Sequence, residues 1–215
     1  MKTEHLLIMR FTALGEVAML VPVVSSLAQQ YPELRITVLS NPFARPLFDG
    51  IAHNVGFMAA DLNGEYHGVK GLNALYRRLV AKNFTAIADM QSILRSSYLR
   101  MRFNISSYRV EHLDNHRQDR RKLVATKDKC LRQLPSLFDD YIDVLARLGY
   151  NVRLDFQSLF PPTGGNLRLV SDRIGEKKMF QQWIGIAPFA AFRGKVYPAQ
   201  LTERVIAELI RRHPS

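Results

Sequence analysis

An almost unbroken apolar run lies near the start of the chain, at residues 6–11 (LLIMRF). This is the pattern of a parallel strand buried on both faces. Residues 12–15 (TALG) turn the chain, and Glu16 opens an apolar helical stretch to Gln30, in which Pro22 either kinks the helix or marks its true first turn. Residues 35–40 (RITVLS) read as a second strand with Asn41-Pro42 as its exit turn, and residues 55–59 as a short third. Over residues 68–83, Leu72, Leu75, Leu79 and Val80 share one helical face. Residues 84–90 (FTAIADM) form a fourth strand, and a helix follows to about Arg102 with Ile93, Leu94, Tyr98, Leu99 and Met101 available for packing. Residues 108–113 are a candidate fifth strand. Pro135 precedes a helix over residues 136–148, which Gly149 ends as a C-cap.

Regular alternation of strand and helix predicts an α/β fold, a parallel sheet flanked by helices, over residues 1–160. Residues 161–182 change character, with Pro161-Pro162, Gly164-Gly165 and a charged run containing Lys177 and Lys178, and read as an interdomain connection. WIGIAP, residues 183–188, restarts the strand pattern, a loop covers 189–198, and a helix covers 202–212. This is the first βα unit of a second domain. A lone βα unit cannot bury both faces of its strand, so the expectation is a piece of a longer protein.

Charge narrows the partners. The net charge is +11, and residues 95–132 supply +7 of it, with 11 basic side chains against Glu111, Asp114, Asp119 and Asp128. Such a segment attracts polyanions, whether nucleic acid, phosphorylated glycolipid or an anionic membrane surface; its other reading is a solvated helix face. The segment lacks a paired-helix reader or an aromatic-rich sheet signature, which argues against nucleic acid. No apolar run approaches the roughly 20 residues that span a bilayer. Cys130 is the one cysteine, which excludes an intramolecular disulfide and a multi-cysteine metal site, and a reducing cytoplasmic setting fits best.

Three groups of residues are candidates for chemistry. Glu16 sits at a helix N-terminus, at the carboxyl edge of the sheet where open α/β folds keep their sites. The helix dipole stabilises its charge there, which also explains an acid with no function. Gly15 before it permits a tight turn and close ligand approach. Neither G-x-G-x-x-G nor G-x-x-x-x-G-K-[ST] occurs. Asp89, Gln91, Arg95 and Ser96 follow the fourth strand, where Arg95 could clamp a carboxylate or phosphate; the alternative is an N-cap by Asp89 or Ser92 and a surface arginine. Lys195 lies in a glycine-containing loop suited to neutralising phosphate, or is a solvated loop lysine. His112 and His116 are four residues apart, but no further Cys or His completes a set, so no metal site is assigned.

Taken in order, RFTALGEVAMLVPVV, ITVLSNPFARPLFDG, KGLNALYRRL, FTAIADMQSILRSSYL and WIGIAPFAAFRGKVYP resemble segments of the ADP-heptose:lipopolysaccharide heptosyltransferases, glycosyltransferase family 9. The resemblance implies the GT-B arrangement of two facing Rossmann-like domains. Here that means an N-terminal acceptor-binding domain, a linker, and the start of a C-terminal nucleotide-sugar domain. It implies an inverting, metal-independent transfer of a sugar, heptose in the best-studied members, from a nucleotide-diphosphate donor to the lipopolysaccharide inner core. Glu16 stands where the family has its catalytic aspartate, and Lys195 matches its donor-binding lysine. Thr12, Gly15, Asp89, Gln91, Arg95, Ser96, Arg120 and Arg121 fall on the acceptor side. No cofactor is expected beyond the donor, ADP-heptose, and the enzyme is expected at the cytoplasmic face of the inner membrane, held peripherally by its basic face. The competing expectation is a non-catalytic module that binds an anionic glycan or membrane surface.

Overall fold

Five parallel strands form one sheet in the order β3-β2-β1-β4-β5 in a computed structural model of the chain. They are β1 (His5–Met9), β2 (Arg35–Ser40), β3 (Val55–Ala59), β4 (Ala86–Asp89) and β5 (Arg109–His112). The structure describes residues 4–127, 129–160, 166–169, 171–172, 175, 177–179 and 182–213. This is the predicted α/β, Rossmann-like sheet. Its central strand is the apolar run near the start of the chain.

Burial on both faces follows from the period of two along a strand. Leu6 and Ile8 pack into one core layer with helices α1 (Leu14–Gln30) and α5 (Leu137–Arg147). Leu7 and Met9 pack into the other with α2 (Gly68–Val80) and α3 (Leu94–Ile105). All four side chains are fully buried. Pro22 lies inside a continuous α1, which settles the two sequence readings in favour of an interior proline.

Local signals set most boundaries. Ser136 accepts from the Asp139 N–H at 3.2 Å, and the Asp139 carboxylate accepts from the Ser136 N–H at 3.0 Å, a reciprocal cap that starts α5. Gly149, at φ +91°, ends it. A 3₁₀ turn over Pro42–Leu47 replaces the simple exit turn after β2, because Asn41 accepts from the Phe43 N–H and extends the bend. Within the basic segment, α4 (Arg117–Val124) is a helix with no buried residue, which fits the solvated-face reading of that stretch.

The chain divides into two units, Met1–Leu159 and Phe160–Ser215. In the second, WIGIAP is not a strand: residues 183–188 have no regular structure, and Trp183, Ile184 and Ile186 are exposed. The pattern there is that of a strand, but no neighbour among the described residues of this unit pairs with it. A strand without a ladder leaves its backbone groups to water. A 3₁₀ turn (Arg193–Lys195) and α6 (Ala199–Arg212) follow, and α6 also buries no residue. The Pro161-Pro162 and Gly164-Gly165 signals lie outside the described residues.

Candidate functional site

The strand order reverses between β1 and β4, and both strands deliver their exit loops to the same edge of the sheet. In open parallel sheets the crevice at such a reversal, beyond the carboxyl ends of the strands, is where ligands bind. The two loops here are zipped together by side chains. Gln91, buried after β4, accepts from the Phe11 N–H at 2.8 Å and donates to the Thr12 hydroxyl. Arg10, buried after β1, donates to the carbonyls of Met90 and, at 3.0 Å, Thr12.

Arg10 also holds Glu16. Its guanidinium donates to Glu16 Oε2, and the same oxygen accepts from the Ala13 N–H at 3.1 Å. The glutamate therefore folds back over the first turn of α1. Its other oxygen, Oε1, accepts no hydrogen bond from a described residue, and the side chain is 49% exposed. A Cβ built on Gly15 meets open space, so the approach to this turn is unobstructed by described residues. From behind, Tyr141 on α5 donates its hydroxyl to the Glu16 main-chain carbonyl at 2.9 Å. Burial pushes the Tyr141 phenol pKa strongly up, so it remains a donor throughout the physiological range.

Asp89 and Ser96, expected to face a ligand, are fully buried. Asp89 Oδ1 accepts from the N–H groups of Gln91 and Ser92 at 3.1 and 3.0 Å. Its Oδ2 accepts from the Ser96 hydroxyl at 3.0 Å and from Arg100 at 3.3 Å. With all four partners in place, the carboxylate turns the chain from β4 into α3 and leaves no face for a ligand. Arg95 donates to the Leu62 carbonyl at 3.1 Å and to Asn63 at 2.7 Å, bracing the loop after β3.

The basic segment splits in two. Arg95, Arg100, Arg102 and Arg109 are engaged with partners inside the fold. Arg117, Arg120 and Arg121 on α4 are exposed, and no acid pairs with them among the described residues. The helix begins at His116, which is left-handed at φ +47°. His116 pairs with Asp140 at 2.8 Å and faces Asp114 at 3.8 Å, and the hydrogen bond to Asp140 raises its pKa. The His112 pKa is lowered, first by burial and then by Arg100.

Lys195 belongs to the second unit. It ends the short 3₁₀ turn with its Nζ 5.6 Å from the centre of the Phe192 ring. Among the described residues, no three His, Cys, Asp or Glu side chains converge to hold a metal ion. Nor is any described helix long and apolar enough to cross a membrane.

No family model matches the chain, and no curated protein matches it in sequence. Solved structures do match. A family 9 glycosyltransferase from Veillonella parvula DSM 2008 superposes with a TM-score of 0.66 at 17% identity, over 98% of this chain and 61% of that one. The chain shares its fold with that enzyme. Escherichia coli heptosyltransferase WaaC, bound to ADP-2-deoxy-2-fluoro heptose, superposes with a TM-score of 0.50 at 16% identity, over 71% of this chain and 50% of that one. This chain thus spans between half and two thirds of the length of these two glycosyltransferases.

Sequence reading missed Arg10 and Arg100, the two cations that organise the loops. Arg10 had one visible signal, a lone charge inside an otherwise apolar strand run, six residues before an acid.

Proposed function

We infer that this chain acts as a glycosyltransferase whose first unit binds the acceptor and whose second unit carries donor-binding residues. The reaction we assign is transfer of heptose from ADP-heptose to the inner core of lipopolysaccharide, inverting and metal-independent as the family resemblance implies. The observation that carries this is the Glu16 carboxylate. One oxygen is fixed by Arg10 and the Ala13 N–H, and the other accepts no hydrogen bond from a described residue on a half-exposed side chain at the strand-order reversal.

In this mechanism Glu16 Oε1 takes the proton from an acceptor hydroxyl. The acceptor oxygen bonds to the anomeric carbon as the bond from that carbon to the diphosphate oxygen breaks. The electron pair leaves with ADP, whose diphosphate the family resemblance assigns to Lys195 as the neutralising cation. Glutamate is one methylene longer than the family's aspartate, and folding back onto the Ala13 N–H takes up that length. Thr12 and Gly15 form the acceptor floor beside it, while the buried Gln91, Asp89 and Ser96 position that floor from beneath. Arg120 and Arg121, exposed on α4, meet phosphates and acidic sugars of the core and hold the protein peripherally at the cytoplasmic face of the inner membrane.

The bare cationic face of α4 also favours a second reading, an anion-binding module without chemistry. One experiment separates the two. The chain is incubated with ADP-heptose and heptose-deficient lipopolysaccharide, and transfer is followed by mass spectrometry, for wild type and Glu16→Gln. Transfer that Glu16→Gln lowers at least a hundredfold, with acceptor binding unchanged, supports the enzyme. Acceptor binding without transfer in the wild type supports the module.

A further inference from the structure

Helix α3 turns an apolar ridge to solvent. At about 100° per residue, positions 94, 98, 101 and 105 fall within an arc of roughly 60°. Leu94, Met101 and Ile105 on that arc are 88%, 48% and 75% exposed. The opposite side of the helix carries the fully buried Ser96, Leu99 and Phe103. Core packing accounts for Tyr98 on this arc, which lies against the Leu7 and Met9 layer, but not for Leu94, Met101 and Ile105. A row of large apolar side chains facing water marks an interaction surface.

Beside the ridge, between α3 and α2, lies a cavity of about 460 Å³ lined by Val69, Lys70, Asn73, Arg77 and Arg102. Its polar lining is donor-rich. Asn73 Oδ1 is occupied by the Tyr98 hydroxyl, at 3.0 Å, and by Arg102, which leaves the amide N–H groups to the groove. Arg102 is held over the Tyr76 ring, its guanidinium carbon 4.5 Å from the ring centre. No described carboxylate pairs with Lys70, Arg77 or Arg102. Three cations and an amide facing one concavity suit a phosphate oxyanion.

We propose that this face docks on an anionic lipid bilayer: the groove takes a phosphate headgroup while Leu94, Met101 and Ile105 enter the interface beside it. A soluble phosphate would explain the cations but not the ridge, and an apolar protein partner would explain the ridge but not the cations. An amphipathic helix next to headgroup-binding cations accounts for both. The proposal rests on the membrane half of the function assigned above and adds a contact through α2 and α3 to that of α4.

The test is co-sedimentation of the chain with vesicles of phosphatidylcholine, with or without phosphatidic acid, and unchanged circular dichroism checks each variant. Wild type is expected on the anionic vesicles and not on the neutral ones. Each basic group near the surface is worth about fivefold in partitioning, so Lys70→Gln with Arg77→Gln weakens binding about twenty-five-fold. Met101→Ser with Ile105→Ser weakens it about tenfold by removing apolar area. If both pairs bind like wild type while Arg120→Gln with Arg121→Gln abolishes binding, the proposal is wrong and the α4 contact stands. If inorganic phosphate displaces the chain and the ridge variants bind normally, the groove is a soluble-anion site and the lipid contact is refuted. No wild-type binding to any vesicle overturns it too, and transfer to detergent-dispersed acceptor then still tests the enzyme.

Discussion

The Tyr141 hydroxyl, 125 residues downstream, donates to the main-chain carbonyl of Glu16 at 2.9 Å. The first turn of α1 is thereby gripped from two sides, by α5 through this bond and by the β1 exit loop through Arg10. A carboxylate at the end of a flexible side chain needs such support if one of its oxygens is to stay in place for chemistry. The grip depends on α5 packing against α1 in one core layer with Leu6 and Ile8.

Tyr141→Phe removes this bond and keeps the ring. The expected cost is about 1 kcal/mol, the net worth of a typical buried hydrogen bond. Urea unfolding should show a lower midpoint with an unchanged slope. A loss above about 3 kcal/mol would mean that the ring packing, and not the hydroxyl, had been disturbed.

Arg10 and Glu16 are an unequal pair. Arg10 is buried and donates to two main-chain carbonyls as well as to the carboxylate, whereas Glu16 is half exposed. Arg10→Met leaves the Met90 and Thr12 carbonyls without their charged donor and should cost about 3 kcal/mol. Glu16→Gln, screened by solvent, should cost less than about 1 kcal/mol. Chemical denaturation of the two variants checks the order, and equal losses would contradict this account.

How far the sequence could foretell this arrangement differs by residue. The first strand and the helix capped by Ser136 are local patterns. The helix starts where its cap puts it, while the strand read over residues 6–11 ends at Met9, and the Arg10 side chain binds the neighbouring loop. WIGIAP was misleading for a physical reason, since an apolar alternation specifies a strand only when a neighbour supplies the ladder. Asp89 was visible as an acid at a strand end, but its burial comes from Arg100 and Ser96 closing over it. Arg100 gave no signal of its own, because its partner lies across a turn. Tyr141 reads as one more apolar position on α5, and its reach to Glu16 exists only once two distant helices pack.

Gly71 in the first turn of α2 should resist substitution. A Cβ there would lie 2.3 Å from the Tyr66 carbonyl carbon and 2.7 Å from its Cα. The Tyr66 backbone cannot retreat freely, because its N–H donates to the Asp61 carbonyl at 2.9 Å and its hydroxyl accepts from Arg78 at 2.5 Å. In an open helix, glycine to alanine stabilises by about 1 kcal/mol. Here the clash reverses the sign, and Gly71→Ala should lower stability by about 2 kcal/mol, within the range for forced overpacking. Thermal unfolding decides it, and a raised Tm would refute the contact.

His116 gives the fold a dependence on pH that can be isolated. Its pKa is raised above the ordinary value of 6.5, first by the hydrogen bond to Asp140 and then by the charges of Asp140, Asp114 and Asp119. A base whose folded pKa is raised binds its proton more tightly in the folded state. Its stabilising contribution is therefore complete below about pH 6.5 and disappears as pH rises through the higher folded value. His5 and His112 have lowered pKa values, mainly from burial, and act in the opposite sense, so the raw profile mixes both effects. Subtracting the profile of His116→Gln removes that mixture. Wild type should exceed the variant in Tm at pH 6, and the gap should narrow steadily towards pH 8. Because Asp140 precedes Tyr141, loosening this pair also loosens the support beneath Glu16, so transfer activity should fall across the same interval in wild type and stay flat in the variant. A gap that widens with pH would show that His116 is bound neutral and that its contact with Asp140 is not an ion pair.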